Sequence, residues 1–198
     1  MGRLILINGA PASGKSTLAR RFVEDHEATV LVEVDELRMT LPGWEADEGT
    51  RLTARDLAGA AIVEHLGAGR DVVMPQYFGR LGYILLMDEL AGQHGAVFIE
   101  VVLDVPVATA IDRFWARRRA MVALGQRHPE RDLADDEVEP FIREAVDRLA
   151  RLPDLRPASR VVPVDPDLSA QDVYDRLLVA VDEGVGDGGR AAHGHGSG

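Results

Sequence analysis

The segment Gly9-Ala10-Pro11-Ala12-Ser13-Gly14-Lys15-Ser16-Thr17 constrains this chain more than any other feature. It is a full G-x-x-x-x-G-K-S pattern, and its surroundings suit it. Arg3 to Asn8 is a short apolar run of strand character, and Leu18, Ala19, Phe22 and Val23 recur at helical spacing over Lys15 to His26. Gly9 and Gly14 permit a tight loop whose backbone N–H groups face a polyphosphate, and Ala12 and Ser13 complete the cradle. The helix that follows adds the positive end of its dipole. Lys15 is placed to reach the β- and γ-phosphates, the Ser16 hydroxyl to bind Mg²⁺, and Thr17 to donate to the α-phosphate. The competing reading is a glycine-rich strand–helix turn that fits by accident. The basic residues argue against that: 21 of the 22 are arginine, and the single lysine is Lys15.

Alternation of strand and helix patterns continues to Glu183. Strands are expected at Thr29–Val34, Asp71–Met74, Ala96–Leu103 and Arg160–Val164. Helices are expected from Leu52 to Leu66 and over Leu81–Gln93, Val107–Leu124, Val138–Leu152 and Ser169–Glu183. This order implies right-handed crossovers and a doubly wound, five-stranded parallel α/β sheet in one domain, residues 1–183. From Gly184 the composition turns to Gly, His and Ser, so 184–198 is expected to be a disordered tail, with His193 and His195 part of that composition rather than a metal site. A net charge of -11 argues against an extended nucleic-acid footprint. The absence of cysteine excludes disulfides, thiolate zinc sites and cysteine nucleophiles. No apolar run approaches a membrane span, and the start of the chain lacks a signal-peptide core, so a cytoplasmic protein is expected. The sequence does not fix an oligomeric state.

The loop implies a nucleoside triphosphate but not its use. A Ras-like GTPase reads guanine through Asn-Lys-x-Asp, which a chain whose sole lysine is Lys15 cannot contain. In Val32-Glu33-Val34-Asp35-Glu36-Leu37-Arg38, Asp35 falls at the end of the expected second strand, where open α/β sheets bind ligands. There it is suited to take a proton from an acceptor hydroxyl, and with no acid after Val72-Val73-Met74 it is also a candidate for Mg²⁺ beside Ser16. Its alternative is a helix N-cap. Arg38, one turn on, either holds an anionic or polar part of the acceptor, braces Asp35, or is solvated. Gln76, Tyr77 and Arg80 follow the third strand and are candidate acceptor contacts, although Tyr77 and Phe78 fit a core equally well. The Arg-rich stretch Arg113, Arg117, Arg118, Arg119, Arg127 and Arg131 is locally positive in an acidic chain. Arg113 and Arg117, at i,i+4, are the candidates for clamping the phosphates, with a lid around 113–136 that includes Gly125, His128 and Pro129.

With Gly9–Thr17, Val34-Asp35-x-x-Arg38 and the Arg113/Arg117 helix in view, the chain resembles the small P-loop kinases. Among these it is similar to chloramphenicol phosphotransferase-like enzymes, zeta-toxin-like kinases and polynucleotide kinases. The resemblance implies a P-loop NTPase fold of the nucleoside-monophosphate-kinase kind, with ATP and Mg²⁺ as cofactors. It also implies Asp35 as the hydroxyl-activating carboxylate and lid arginines on ATP. It therefore implies transfer of the γ-phosphate to an alcohol, a metabolite or an antibiotic. The chain departs from the pattern at Pro75-Gln76, where several such kinases carry an acid. Two other readings stay open: a nucleotide-dependent switch without acceptor, and a kinase for nucleic-acid ends.

Overall fold

Four consecutive apolar residues, Leu4, Ile5, Leu6 and Ile7, leave no face for solvent, so the strand they form has to be covered on both sides. The computed structural model describes residues 1–44, 47, 49–125 and 133–191, with side chains as far as 184. In it that strand, β1 (Arg3–Gly9), is the centre of an all-parallel five-stranded sheet, and all four side chains are fully buried. The chain continues through α1 (Lys15–Asp25), β2 (Val30–Leu31), α2 (Val34–Thr40), α3 (Gly49–Gly67), β3 (Val72–Gln76) and α4 (Leu81–Gln93). It then forms β4 (Val97–Asp104), α5 (Val107–Ala123), α6 (Asp135–Ala150), α7 (Leu152–Leu155), β5 (Arg160–Pro163) and α8 (Ala170–Ala191).

The strand order is β2-β3-β1-β4-β5, with Asn8 paired to Gln76 and Gly9 to Leu103. Helices α1 and α8 pack on one face, where Arg21 lies over the Tyr174 ring at 3.9 Å, and α3, α4 and α6 pack on the other. From β1 the chain departs toward one edge of the sheet and from β3 toward the other. A crevice therefore opens between the carboxyl ends of these neighbours, where open α/β sheets receive ligands. This is the doubly wound α/β fold that the alternating pattern implies.

Several boundaries differ from expectation, each for a local reason. The second strand is Val30–Leu31, not Thr29–Val34. Val32 N still donates to the Val73 carbonyl at 2.9 Å, but the chain then turns, and Val34 is buried as the first residue of α2. Asp35 consequently sits in the first turn of a helix, and Glu33, not Asp35, occupies the N-cap position. Helix α6 begins at Asp135 rather than Val138, because the acids Asp135, Asp136 and Glu137 favour a helix N-terminus. The Glu137 side chain accepts a hydrogen bond from Ala134 N at 3.0 Å. Helix α8 runs to Ala191, so 184–191 is helical rather than part of a disordered tail; 192–198 lies outside the described residues. Gly184 has a packing role: a Cβ there would meet Ile99 Cγ2 at 2.8 Å, so the missing side chain lets α8 lie close on β4.

Gly184→Ala should therefore push α8 off β4 and lower stability by about 1–3 kcal/mol, despite the gain in helix propensity. Urea unfolding of the two proteins measures the difference.

Candidate active site

Between β1 and α1 the chain must turn sharply, and it does so through two residues in the left-handed region, Ala12 at φ 62° and Gly14 at φ 96°. Glycine adopts this conformation freely, whereas alanine does so at a cost and is held there by its surroundings. Gly14 also occupies the N-cap of α1 without a side-chain cap, so the first-turn N–H groups are left to the loop. A Cβ on Gly9 would collide with Ser13 Oγ and come within 3.3 Å of Leu103 Cβ. Ser13 Oγ is itself buried and makes no hydrogen bond. A cradle too tight for a methyl group, with one unpartnered buried hydroxyl and an uncapped helix N-terminus, fits a polyphosphate.

Two cavities flank this loop, and Lys15 lines both. The first, about 340 Å³, is bounded by Ala12, Gly14, Ser16, Thr17, Arg20 and Glu33, with Arg113 and Arg117 from α5. The structure thus brings the expected arginine pair to the loop. The second, about 410 Å³, is lined by Asp35 and Arg38 from α2, Gln76 at the end of β3, Tyr77 just after it, and Phe141 from α6. Its size suits a small molecule, since such sites usually run ~300–1,000 Å³. Lys15 Nζ also donates to the Ala10 carbonyl at 3.3 Å.

Ser16 has a partner the sequence did not single out. Its hydroxyl donates to Glu33 Oε1 at 2.5 Å, and Glu33 Oε2 accepts from Arg20 at 2.8 Å. Asp35, two residues on, lines the other cavity. Among the described residues no cluster of three or more His, Cys, Asp or Glu is suited to a metal. The donor set that fits Mg²⁺ is a hydroxyl with a nearby carboxylate, Ser16 and Glu33, which leaves most positions to phosphate and water oxygens, as this ion prefers.

The other expected contacts are sorted by their partners. Arg38 is buried; its Nε donates to Thr50 Oγ1 at 3.2 Å and an Nη to the Trp44 carbonyl at 3.1 Å, so it braces the α2–α3 connection while facing the cleft. Tyr77 meets Phe141 edge-on at 6.3 Å, and a Cβ on Gly79 would lie 2.8 Å from its Cζ. Burial pushes the Tyr77 phenol pKa up, opposed by Arg148, so the group remains a neutral donor at physiological pH. Arg80 is exposed beside a smaller cavity of about 240 Å³ that shares Tyr77 and Arg55 with the cleft. Arg118 turns away, donating to the Leu133 carbonyl at 3.3 Å and pairing with Asp135 at 3.2 Å. Arg119 is exposed on α5, Leu124 and Gly125 end that helix, and Leu133–Asp136 lead into α6. Arg127, His128, Pro129 and Arg131, the middle of the expected lid, lie outside the described residues.

Arg51 and Arg55 also line the cleft. Their i,i+4 spacing on α3 is the same signal that marked Arg113 and Arg117. Asn8, the polar residue that follows the apolar run Leu4–Ile7, is fully buried. Its Oδ1 accepts from Phe78 N at 2.9 Å, and its Nδ2 donates to the Phe78 carbonyl and to Glu100 Oε1, both at 3.1 Å. Glu100 in turn accepts from Ser159 Oγ at 2.6 Å and lies 3.3 Å from Arg156 Nε. Asn8→Ala would strand two backbone groups and weaken the support of a buried carboxylate. It should cost roughly 2–4 kcal/mol in denaturant unfolding, since each unmet buried group costs about 1–3 kcal/mol.

Comparison with known proteins agrees with this geometry. The model of a family described as AAA domain, AAA_33, matches residues 4–136. Among solved structures, a chain of the Pnkp1/Rnl/Hen1 RNA repair complex superposes with a TM-score of 0.64 at 22% identity, over 78% of this chain. This protein spans only 45% of that chain's length. A gluconokinase from Sinorhizobium meliloti matches with a TM-score of 0.59 at 19% identity, over 92% of both chains. The tunicamycin resistance protein of Deinococcus radiodurans matches at 0.57 and 20%, over 91% of this chain and 96% of that one. At such identities the likeness is one of fold. A search of curated proteins by sequence gave no match. No helix among the described residues is long and apolar enough to cross a membrane.

Proposed function

Because the chain belongs to the AAA_33 family of P-loop kinase-like domains, we propose that it is an ATP-dependent phosphotransferase acting on the hydroxyl of a small molecule. The observation that carries this reading is the position of Lys15 in the wall between the phosphate-loop cavity and the Asp35 cleft. An ammonium there faces a donor on one side and an acceptor on the other, as in-line transfer requires. The neighbours described as gluconokinase and tunicamycin resistance protein are consistent with a small acceptor, and the charge of -11 favours one over extended nucleic acid.

MgATP, when bound, supplies the γ-phosphoryl group and a divalent charge that spreads its electrons. The chain's own groups do the rest. Backbone N–H groups of the loop and of the first turn of α1, with Ser13 and Thr17, would hold the polyphosphate, and Ser16 with Glu33 would hold the metal. Arg113 and Arg117 close over the phosphates from α5 and offset charge as it moves to the leaving oxygen. Asp35 accepts the proton of the acceptor hydroxyl as its oxygen bonds to phosphorus and the bond to the β-phosphate oxygen breaks. Lys15 stays with the transferring group. Arg38, Gln76, Tyr77 and Arg80 orient the acceptor.

The test begins with a mass-spectrometric screen of alcohols, antibiotics included, for an added phosphoryl group. On the acceptor found, Asp35→Asn should leave ATP affinity within about twofold and lower kcat by about 100-fold or more, the usual range for removing a general base. Near wild-type turnover would remove Asp35 from this role. Glu33→Gln should weaken nucleotide binding in magnesium more than in EDTA, as calorimetry would register; equal effects would separate Glu33 from the metal.

A further inference from the structure

The cleft beyond Asp35 has a charge pattern that a neutral alcohol does not answer. Among the described residues, Arg38 and Arg55 line it together with one carboxylate, Asp35, in a chain with 11 more acids than bases. The adjoining cavity adds Arg80 and Arg148 and no acid. Arg38 spends its hydrogen bonds on a hydroxyl and a carbonyl, neither of which offsets its charge. Arg148 is compensated by Glu144, but Arg55 and Arg80 form no ion pair among the described residues. Arg55 stacks instead on the Tyr83 ring at 5.4 Å, and it belongs to both cavities. Tyr77, kept protonated by burial, contributes a further donor. The walls therefore offer donors and positive charge, and among the described residues Asp35 is the only acid lining them. A ligand that satisfies them presents one hydroxyl to Asp35 and oxyanion oxygens to the rest.

We propose that the acceptor is a small alcohol already carrying an anionic group, a phosphate monoester or a carboxylate, held by Arg55 where the cleft meets the Arg80 cavity. This rests on the kinase reading above and narrows its acceptor. Planar guanidinium groups match both oxyanions, so the two sources share one recognition chemistry. A neutral sugar or antibiotic would desolvate these arginines without replacing the lost water contacts.

The test uses the full chain with its phosphate loop filled by AMP-PNP and Mg²⁺, so that added anions report on the acceptor cleft alone. Matched pairs are titrated by calorimetry: glycerol against glycerophosphate, and glucose against gluconate. An oligonucleotide with a free terminal hydroxyl is a fifth ligand. The anionic member of at least one pair should bind about tenfold or more tighter than its neutral partner, and the pair that responds tells phosphate from carboxylate. Arg55→Gln should erase most of that preference, and Arg55→Lys should restore part of it. AMP-PNP affinity, measured alongside, reports whether each variant is folded; Arg55 is exposed, so folding should survive. Equal binding of neutral and anionic partners, or a preference untouched by Arg55→Gln, would overturn the inference while leaving the kinase reading intact. So would an oligonucleotide bound in preference to every small anion, which would point to nucleic-acid ends. If AMP-PNP does not bind at all, the kinase reading fails first and this one falls with it.

Discussion

The Asn8 amide ties together two segments that would otherwise be independent. Its oxygen sits on the Phe78 N–H and its nitrogen on the Phe78 carbonyl, so the strand leading into the phosphate loop is fixed to the segment that follows β3 beside the Asp35 cleft. The β1–β3 ladder ends at the pair Asn8 and Gln76, and beyond it this side chain continues the connection. Behind it, Glu100, Ser159 and Arg156 form a buried polar network that leaves Asn8 little choice of rotamer. A network satisfied to this extent specifies one arrangement, because any slip strands several polar groups at once. The distance between the two cavities is in effect set here, one residue before the loop.

That rigidity contrasts with the construction of the walls. Arg113, Arg117, Arg51 and Arg55 are exposed side chains on helices, reaching toward the cavities from opposite sides. The phosphate loop is held by backbone conformation and close packing, while the groups around it are long and adjustable. Such a division fixes the loop while leaving the shape of the surrounding walls to a few long side chains.

How much of this was legible in the residues depended on whether the signal was local. The phosphate loop could be read outright, because each residue in Gly9–Thr17 meets a demand of the loop itself. The pair Arg113 and Arg117 was legible from helical spacing, and the sheet from apolar runs such as Leu4–Ile7. Glu33 was not: in Val32-Glu33-Val34-Asp35 either acid could face the loop, and the choice depends on where the strand gives way to a helix. β-Branched residues at 30–34 hid that transition, since Val34 is buried equally well in either. Arg55 and Arg51 carried the same spacing as the other pair, but nothing local placed α3 beside the cleft. Gly184 read as tail composition, and only the approach of Ile99 reveals it as a contact.

Lysine occurs once in the chain, and it stands in the partition between the two cavities. Side-chain amine chemistry therefore has a single address in this molecule. An acyl group placed on Lys15 would remove the positive charge of the partition and add bulk where both cavities meet, from a single atom. The same solitude makes Lys15 a ready reporter, because a nucleotide lying against it would shield the only side chain an amine reagent can find.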